Sequence, residues 1–306
     1  PLYHSQTDDI DLSGNNAGFR SLESVENGVN PRLGAHSHLS TTPLNLSIAK
    51  SVSATLSRPL QHQQHQRELL MTDSKLAIGF PVTGWEPPPL PRQESLEGSY
   101  CRLERLDPED HGPALFDAFA GDTDGVDWIY LPYGPFTSSE ELQEWLQNAA
   151  TKSDPMFYTV IDPQGTAMGI ASYLRITPAS GSIEVGHIHF SPCMQKTPAG
   201  TEAMYLMMKQ AFDLGYRRYE WKCDALNQRS CRAALRLGFS FEGIFRQATV
   251  YKGRNRDTAW YATIDQEWPQ LKAAFEAWLD PANFDDAGVQ KKSLSEMTAP
   301  ILISTH

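Results

Sequence analysis

The 306-residue chain is 40% hydrophobic and 10% aromatic, enough apolar material for one large domain or two small ones. Acidic residues outnumber basic ones, 37 to 26, and the formal charge of −11 excludes non-specific nucleic-acid binding, which needs clustered positive charge. No stretch approaches the roughly 20 apolar residues of a membrane-spanning helix. No cationic-then-apolar leader pattern opens the chain. Cys101, Cys193, Cys223 and Cys231 form no CxxC and no zinc spacing. The expectation is a cytoplasmic protein with reduced thiols, no metal, and no membrane or nucleic-acid partner.

Residues 1–75 are rich in Ser, Asn, Gln and His without sustained periodicity, and Gln61-His-Gln-Gln-His-Gln66 is low complexity. Such a segment buries too little apolar surface to offset its ordering entropy, so 1–75 is expected to be a disordered extension. Met71 is the first Met, and the residues before it read as an upstream addition. Residues 76–97 are a proline-rich arm carrying Pro81, Pro87, Pro88, Pro89 and Pro91. Proline lacks the ladder donor, so the arm is expected to run extended, away from the centre of any sheet, with Trp85 pinning it to the domain.

The domain proper spans 98–280. Tyr100–Leu106 alternates as a strand. Asp107 caps a helix to Ala120. Asp127-Trp-Ile-Tyr-Leu-Pro-Tyr-Gly-Pro-Phe136 is an aromatic loop, and Thr137-Ser-Ser-Glu140 reads as a capping box opening a helix to Ala150. Residues 156–161 and 166–176 form a hairpin about Asp162-Pro-Gln-Gly165, followed by a strand over 182–190. An apolar helical run covers 203–214, a strand 217–224, and a helix 227–237 ended by Gly238. A long hairpin (239–251 with 256–264) and a helix over 268–279 complete the domain. Residues 281–306 are polar and expected to be a flexible tail. The order predicts an α/β (mixed α+β) fold, a mixed sheet of about seven strands with helices on its faces.

The junction between the strand ending at Phe190 and the following helix, Ser191-Pro-Cys-Met-Gln-Lys-Thr-Pro-Ala-Gly-Thr-Glu-Ala-Met204, is the most informative stretch. A strand, a turn and a helix in that order present unpaired N–H groups and the positive end of the helix dipole to a phosphate-bearing ligand.

With the Gln195…Gly200 turn, Asn227-x-x-Ser230, Leu237-Gly-Phe239, Phe241-Glu-Gly243, Arg246-Gln-Ala248 and Tyr251-Lys-Gly-Arg-Asn-Arg-Asp-Thr-Ala-Trp-Tyr261, the chain resembles the GNAT acetyltransferase superfamily over about residues 79–280. Within it, the chain is similar to the ribosomal-protein serine/alanine N-acetyltransferase branch. The resemblance implies the GNAT-type acyl-CoA N-acyltransferase fold. It implies acetyl-CoA as co-substrate and a primary amine as acceptor: a protein N-terminus or, alternatively, a small amine. A catalytically silent CoA-binding protein is the rival reading. The resemblance places Gln195, Lys196, Ala199, Gly200, Thr201 and Asn227 at the coenzyme, with Pro198 where the family has a glycine.

For catalysis the resemblance implies Ser230 as the acid. The superfamily's more common tyrosine falls at Ala234, and the branch's hairpin glutamate falls at Thr249, which cannot serve as a base. Glu184, beside the cleft, is then the candidate base. His187 is a candidate for substrate binding and proton relay. Trp128, Tyr130 and Tyr133 of the aromatic loop are expected on the acceptor side. Monomer and homodimer both fit the sequence.

Overall fold

The computed structural model describes residues 78–91 and 94–305, so the expectations for 1–75 and for Met71 lie outside the described residues. Eight strands form one sheet: β1 (Leu96–Glu97), β2 (Arg102–Arg105), β3 (Met156–Ile161), β4 (Ala167–Thr177), β5 (Ser182–Phe190), β6 (Arg218–Asp224), β7 (Ser240–Tyr251) and β8 (Arg254–Ile264). Their spatial order is β1-β2-β3-β4-β5-β6-β8-β7. The strand beyond the expected seven is β1, the end of the proline-rich arm. It occupies an edge, the position open to a segment poor in ladder donors. Upstream, Trp85 packs against the turn at Gly181, and the Arg217 guanidinium lies 5.6 Å over its ring.

The helices are α1 (Pro108–Phe119), α2 (Ser139–Ala150), α3 (Pro198–Asp213), α4 (Gln228–Arg236), α5 (Trp268–Leu279) and α6 (Leu294–Thr298). Asp107 caps α1 by accepting the Glu109 and Asp110 N–H groups, as its position before Pro108 predicts. At α2 the cap is one residue later than the sequence suggests. Ser138 accepts the Glu141 N–H, while the Glu141 carboxylate reaches back to the Thr137 N–H. Helix α3 starts five residues before the apolar run, because Pro198 at N1 is already set to helical φ.

Both faces of the sheet are covered. Ile183, Val185, Tyr219 and Trp221 pack with Met204, Met207 and Met208 of α3 and Phe275 of α5. On the other face Phe157 and Ile170 pack with Leu115 and Phe119 of α1 and Leu142 and Leu146 of α2. Glu202, buried on α3, accepts the N–H groups of Ser99, Tyr100 and Cys101 at 2.8, 2.6 and 2.8 Å and so ties the entry into β2 to the helix. Three backbone donors on one carboxylate satisfy a charge that burial would otherwise penalise.

Residues 281–305 differ from the flexible tail expected of them. A short turn at Pro281–Asn283 leads to a bridge between Phe284 and Gln290, and α6 is closed by a capping box between Ser293 and Glu296. Leu294 and Thr298 are fully buried, and the Thr298 hydroxyl donates to the Arg236 carbonyl of α4. Farther on, the Phe241 N–H donates to the Ser304 carbonyl on the edge strand β7. The segment is polar on average, yet a few buried side chains and satisfied backbone groups suffice to dock it.

Candidate active site

All neighbouring strand pairs are antiparallel except β5 and β6, which pair in parallel over Ser182–Val185 and Arg218–Trp221. Beyond that register both strands run on, to Phe190 and Asp224, and share no further pair among the described residues. A register shift against β4, with His187 at φ 51°, falls where β5 leaves its partner. A bulge of this kind bends a strand and ends its pairing. The gap opens into a cavity of about 940 Å³.

One wall is the start of α4. Asn227 is its N-cap, accepting the Ser230 N–H at 3.1 Å, and both side chains line the cavity. Trp221, on β6, donates its indole N–H to Ser230 Oγ at 2.9 Å. A hydroxyl that accepts from Trp221 keeps its own proton for a further partner.

The facing wall is the turn into α3. The Ser191 carbonyl accepts the Met194 and Gln195 N–H groups, and Lys196 sits at φ 63°. Gln195 spends its amide inside the protein, donating to Asp127 and to the Phe190 carbonyl. It therefore shapes the turn and ties it to the aromatic loop. Asp127 also meets Arg229 of α4 at 3.2 Å, so one carboxylate bridges both walls. Thr197 is the N-cap of α3, but its hydroxyl donates back to the Met194 carbonyl at 2.7 Å and makes no cap bond. The Ala199 and Gly200 N–H groups, at N2 and N3, thus have no helical acceptor. Pro198 removes only the N1 donor and leaves these two.

Arg236, in the last turn of α4, donates to Thr201 Oγ1 at 3.1 Å and stacks over Trp278 at 5.0 Å. Burial lowers its pKa, and no carboxylate pairs with it among the described residues. Phe284, Gly288 and Gln290 close the cavity beside it.

Of the residues singled out in the sequence, Ser230, Asn227, Gln195, Lys196, Gly200, Thr201 and Tyr130 come together in this lining. Ala199 stands beside it on the first turn of α3, offering its backbone N–H. Glu184, His187, Trp128 and Tyr133 lie outside the lining.

Glu184 departs from the expectation of a cleft-side base. Ile183 and Val185 pack beneath α3, so strand alternation turns Glu184 to the opposite face. There it is buried and ion-paired with Arg175 at 2.6 Å and Lys222 at 2.7 Å. Desolvation raises its pKa, with the two cations pulling the other way. Lys222 also pairs with Glu220 at 2.7 Å and sits 3.9 Å over the Trp260 ring.

His187 departs from the expectation of a proton relay. Its Nδ1 lies 3.1 Å from the Tyr133 hydroxyl, the two rings stack, and burial lowers its pKa to about 4. It stays neutral at pH 7 and is a weak base there. Trp128 is buried against His189, Phe119 and Phe136 and packs the core instead of facing an acceptor. Tyr133 stacks within the same aromatic cluster, while Tyr130 donates to the Leu226 carbonyl at 3.3 Å at the cavity mouth.

Trp221, Lys222 and Arg236 are not legible as site residues in the sequence. The first two read only as alternating residues of a strand, and Arg236 reads as a favourable cation at a helix C-terminus. No cluster of His, Cys, Asp and Glu suited to a metal occurs among the described residues, and no described helix is long and apolar enough to cross a membrane.

The acetyltransferase (GNAT) domain model matches residues 101–240. A GCN5-related N-acetyltransferase from Brucella melitensis is 47% identical, covers 71% of this chain and 100% of its own, and superposes with a TM-score of 0.70. A GNAT-family structure from Chromobacterium violaceum is 41% identical over 64% of this chain and 100% of its own, with a TM-score of 0.60. A Salmonella typhimurium enzyme that modifies the N-terminal serine of ribosomal protein L7/L12 is 24% identical over 56% of this chain and 99% of its own, with a TM-score of 0.49. No curated protein matches the chain. With 47% identity over 71% of its own length and the whole length of the Brucella relative, the chain belongs to the GNAT family of N-acetyltransferases.

Proposed function

We propose that the protein acetylates the N-terminal α-amino group of polypeptides that begin with Ser or Ala, using acetyl-CoA. The cavity fits the coenzyme on three counts. Two N–H groups at the start of α3 receive no N-cap side chain, Arg236 meets no carboxylate among the described residues, and the parted edges of β5 and β6 offer backbone to an extended pantetheine arm. Acetyl-CoA supplies the activated acetyl thioester. Ala199 and Gly200 bind the pyrophosphate through their N–H groups, and Lys196 adds an exposed charge beside them. Asn227 holds α4 at the pantetheine end. Ser230, oriented by the Trp221 indole, gives its proton to the departing sulfur and takes back the proton that the attacking amine releases as the amide forms.

The observation that carries the choice of acceptor is the missing base. Glu184 is spent in ion pairs on the far face, His187 and the cavity-lining His189 are buried and held neutral, Asp127 is taken by Gln195 and Arg229, and Thr249 has no basic group. A site without a free base suits an amine already partly neutral at pH 7. An α-amino group has a pKa of about 8, against about 10.4 for a lysine side chain. Polyamines lie on the lysine side of that comparison. The residue-level resemblance to the Ser/Ala branch supports the same acceptor.

The test is a panel of short peptides starting with Ser or Ala, the same peptides Nα-blocked with a free lysine, and spermidine, each followed by release of free CoA. Turnover on the free α-amines alone is the expected result. Preference for spermidine would install the small-amine reading. Tight acetyl-CoA binding without turnover on any amine would establish a silent binding protein.

A further inference from the structure

The cavity extends past the groups needed for chemistry, to a corner built by α4 and the C-terminal segment. On the acetyl-CoA reading, Trp221 and Ser230 mark the thioester end, and the Ala199 and Gly200 N–H groups mark the pyrophosphate. Arg236 lies six residues beyond Ser230 on α4, about 9 Å along the helix axis. It is a second, separate positive centre.

Its setting is built rather than incidental. The Trp278 ring backs the guanidinium, Gln290 accepts the Trp278 indole N–H at 2.8 Å, and Thr298 anchors the Arg236 carbonyl. Asn283 braces the segment by donating to the Trp278 and Lys292 carbonyls at 3.1 Å each. Asp285 is turned into its own loop, accepting the Ala287 and Val289 N–H groups. Of the five guanidinium N–H donors, one goes to Thr201, so donors remain for an anion. Phe284 and Gly288 form an uncharged wall next to them.

We infer that Arg236 binds the 3′-phosphate of CoA and that residues 284–290 wall the adenosine beside it. The C-terminal segment is thereby part of the coenzyme site. A phosphate monoester carries close to two negative charges at neutral pH and is matched by a planar guanidinium. The pyrophosphate, already met by helix N–H groups, needs this arginine less. The inference rests on the acetyl-CoA reading, and the test keeps the two apart.

Isothermal titration of the full chain with CoA and with 3′-dephospho-CoA provides that test. The wild-type protein should bind CoA more tightly by about ten-fold or more, the size of one charge-assisted hydrogen bond. Arg236→Gln should lose this preference through weaker CoA binding, with the affinity for 3′-dephospho-CoA unchanged. Arg236→Lys should recover part of it. Equal weakening toward both compounds would assign Arg236 to the pyrophosphate and overturn the inference, as would a wild-type protein that does not discriminate. Gln290→Ala, which leaves the charge in place, should weaken CoA binding several-fold with an unchanged unfolding temperature. Failure of the wild-type protein to bind either compound would instead sink the acetyl-CoA reading itself.

Discussion

The two faces of the sheet at the gap between β5 and β6 use polar groups in opposite ways. On the cavity face donors turn toward the space: the Ala199 and Gly200 N–H groups, Lys196 and the remaining N–H groups of Arg236, with the Ser230 hydroxyl at the start of α4. On the other face the charges beside the gap pair with one another. Lys222 holds Glu184 and Glu220, Arg175 adds to Glu184, and Arg218 joins Glu220 to Glu242. Alternation along two strands separates these environments by one residue, Trp221 facing the cavity and Lys222 the ion-pair network. Uncommitted donors mark a binding surface, and a saturated network marks a brace that holds the parted strands.

The largest effect is expected at the brace. Lys222→Met strips Glu184, 3% exposed, and Glu220, 12% exposed, of a shared cation. Glu184 keeps Arg175 and Glu220 keeps Arg218, so the cost falls at the lower end of the roughly 3–5 kcal/mol seen when a buried pair is broken from one side. Chemical unfolding should show that loss, and the double variant Lys222→Met/Glu184→Gln should regain much of it. Full stability in Lys222→Met combined with a collapse of kcat would reverse the comparison and make this face catalytic.

On the cavity face, Ser230→Ala should lower kcat by about 10²-fold while leaving the affinity for acetyl-CoA within a factor of two. The buried Trp221 indole N–H loses its acceptor, so a stability loss of about 1–3 kcal/mol should accompany the change. An unchanged kcat would remove Ser230 from proton transfer and leave it as a helix-start residue only.

The buried histidines give a test by pH. His187 and His189 both have their pKa lowered to about 4 by burial, against about 6.5 in the unfolded chain. Between these values the unfolded state binds more protons, so stability is present above pH 6.5 and is lost as the pH falls toward 4. Glu184, with its pKa raised, acts in the opposite sense, favouring the fold at lower pH. His189 is the better probe: it is 2% exposed and packed on Trp128 at 3.7 Å, and its full shift corresponds to about 3 kcal/mol. His189→Phe should flatten the decline of unfolding free energy over that window. A slope unaffected by this change would mean that His189 is not held neutral by the fold.

What was legible in the sequence follows the same division. The elements with strong periodicity or capping chemistry, α1, the β3–β4 hairpin and α4, stand close to where alternation, Asp107, Asn227 and Gly238 put them. The cavity residues were legible where one short motif holds them together, as in Asn227-x-x-Ser230. Glu184 was misplaced because strand alternation shows that it opposes Ile183 and Val185, but not which face borders the cleft. Trp128 and His187 read as acceptor-side residues because polar tips on aromatic rings look alike in a cleft and in a core. Arg236, Trp278 and Gln290 come from three separate segments, and their meeting depends on how the C-terminal residues return over α4. Local composition does not contain that information.

The smallest effect is expected where the two faces meet at the cavity mouth. Lys252, at the tip of the β7–β8 hairpin, donates from Nζ to the carbonyls of Trp128 at 2.8 Å and Gly134 at 2.7 Å. Next to it, the Tyr251 hydroxyl donates to Asp224 at 2.9 Å. The hairpin thus reaches over to the aromatic loop beside Tyr130, the side that the proposed function gives to the acceptor. Lys252 is exposed, so each bond competes with water and their net value is about 1 kcal/mol. Lys252→Ala should therefore raise the KM for a peptide acceptor by about five-fold, with the KM for acetyl-CoA and the unfolding temperature nearly unchanged. A matching rise in both KM values would show that the hairpin steadies the whole cavity, joining the brace instead of gating the acceptor.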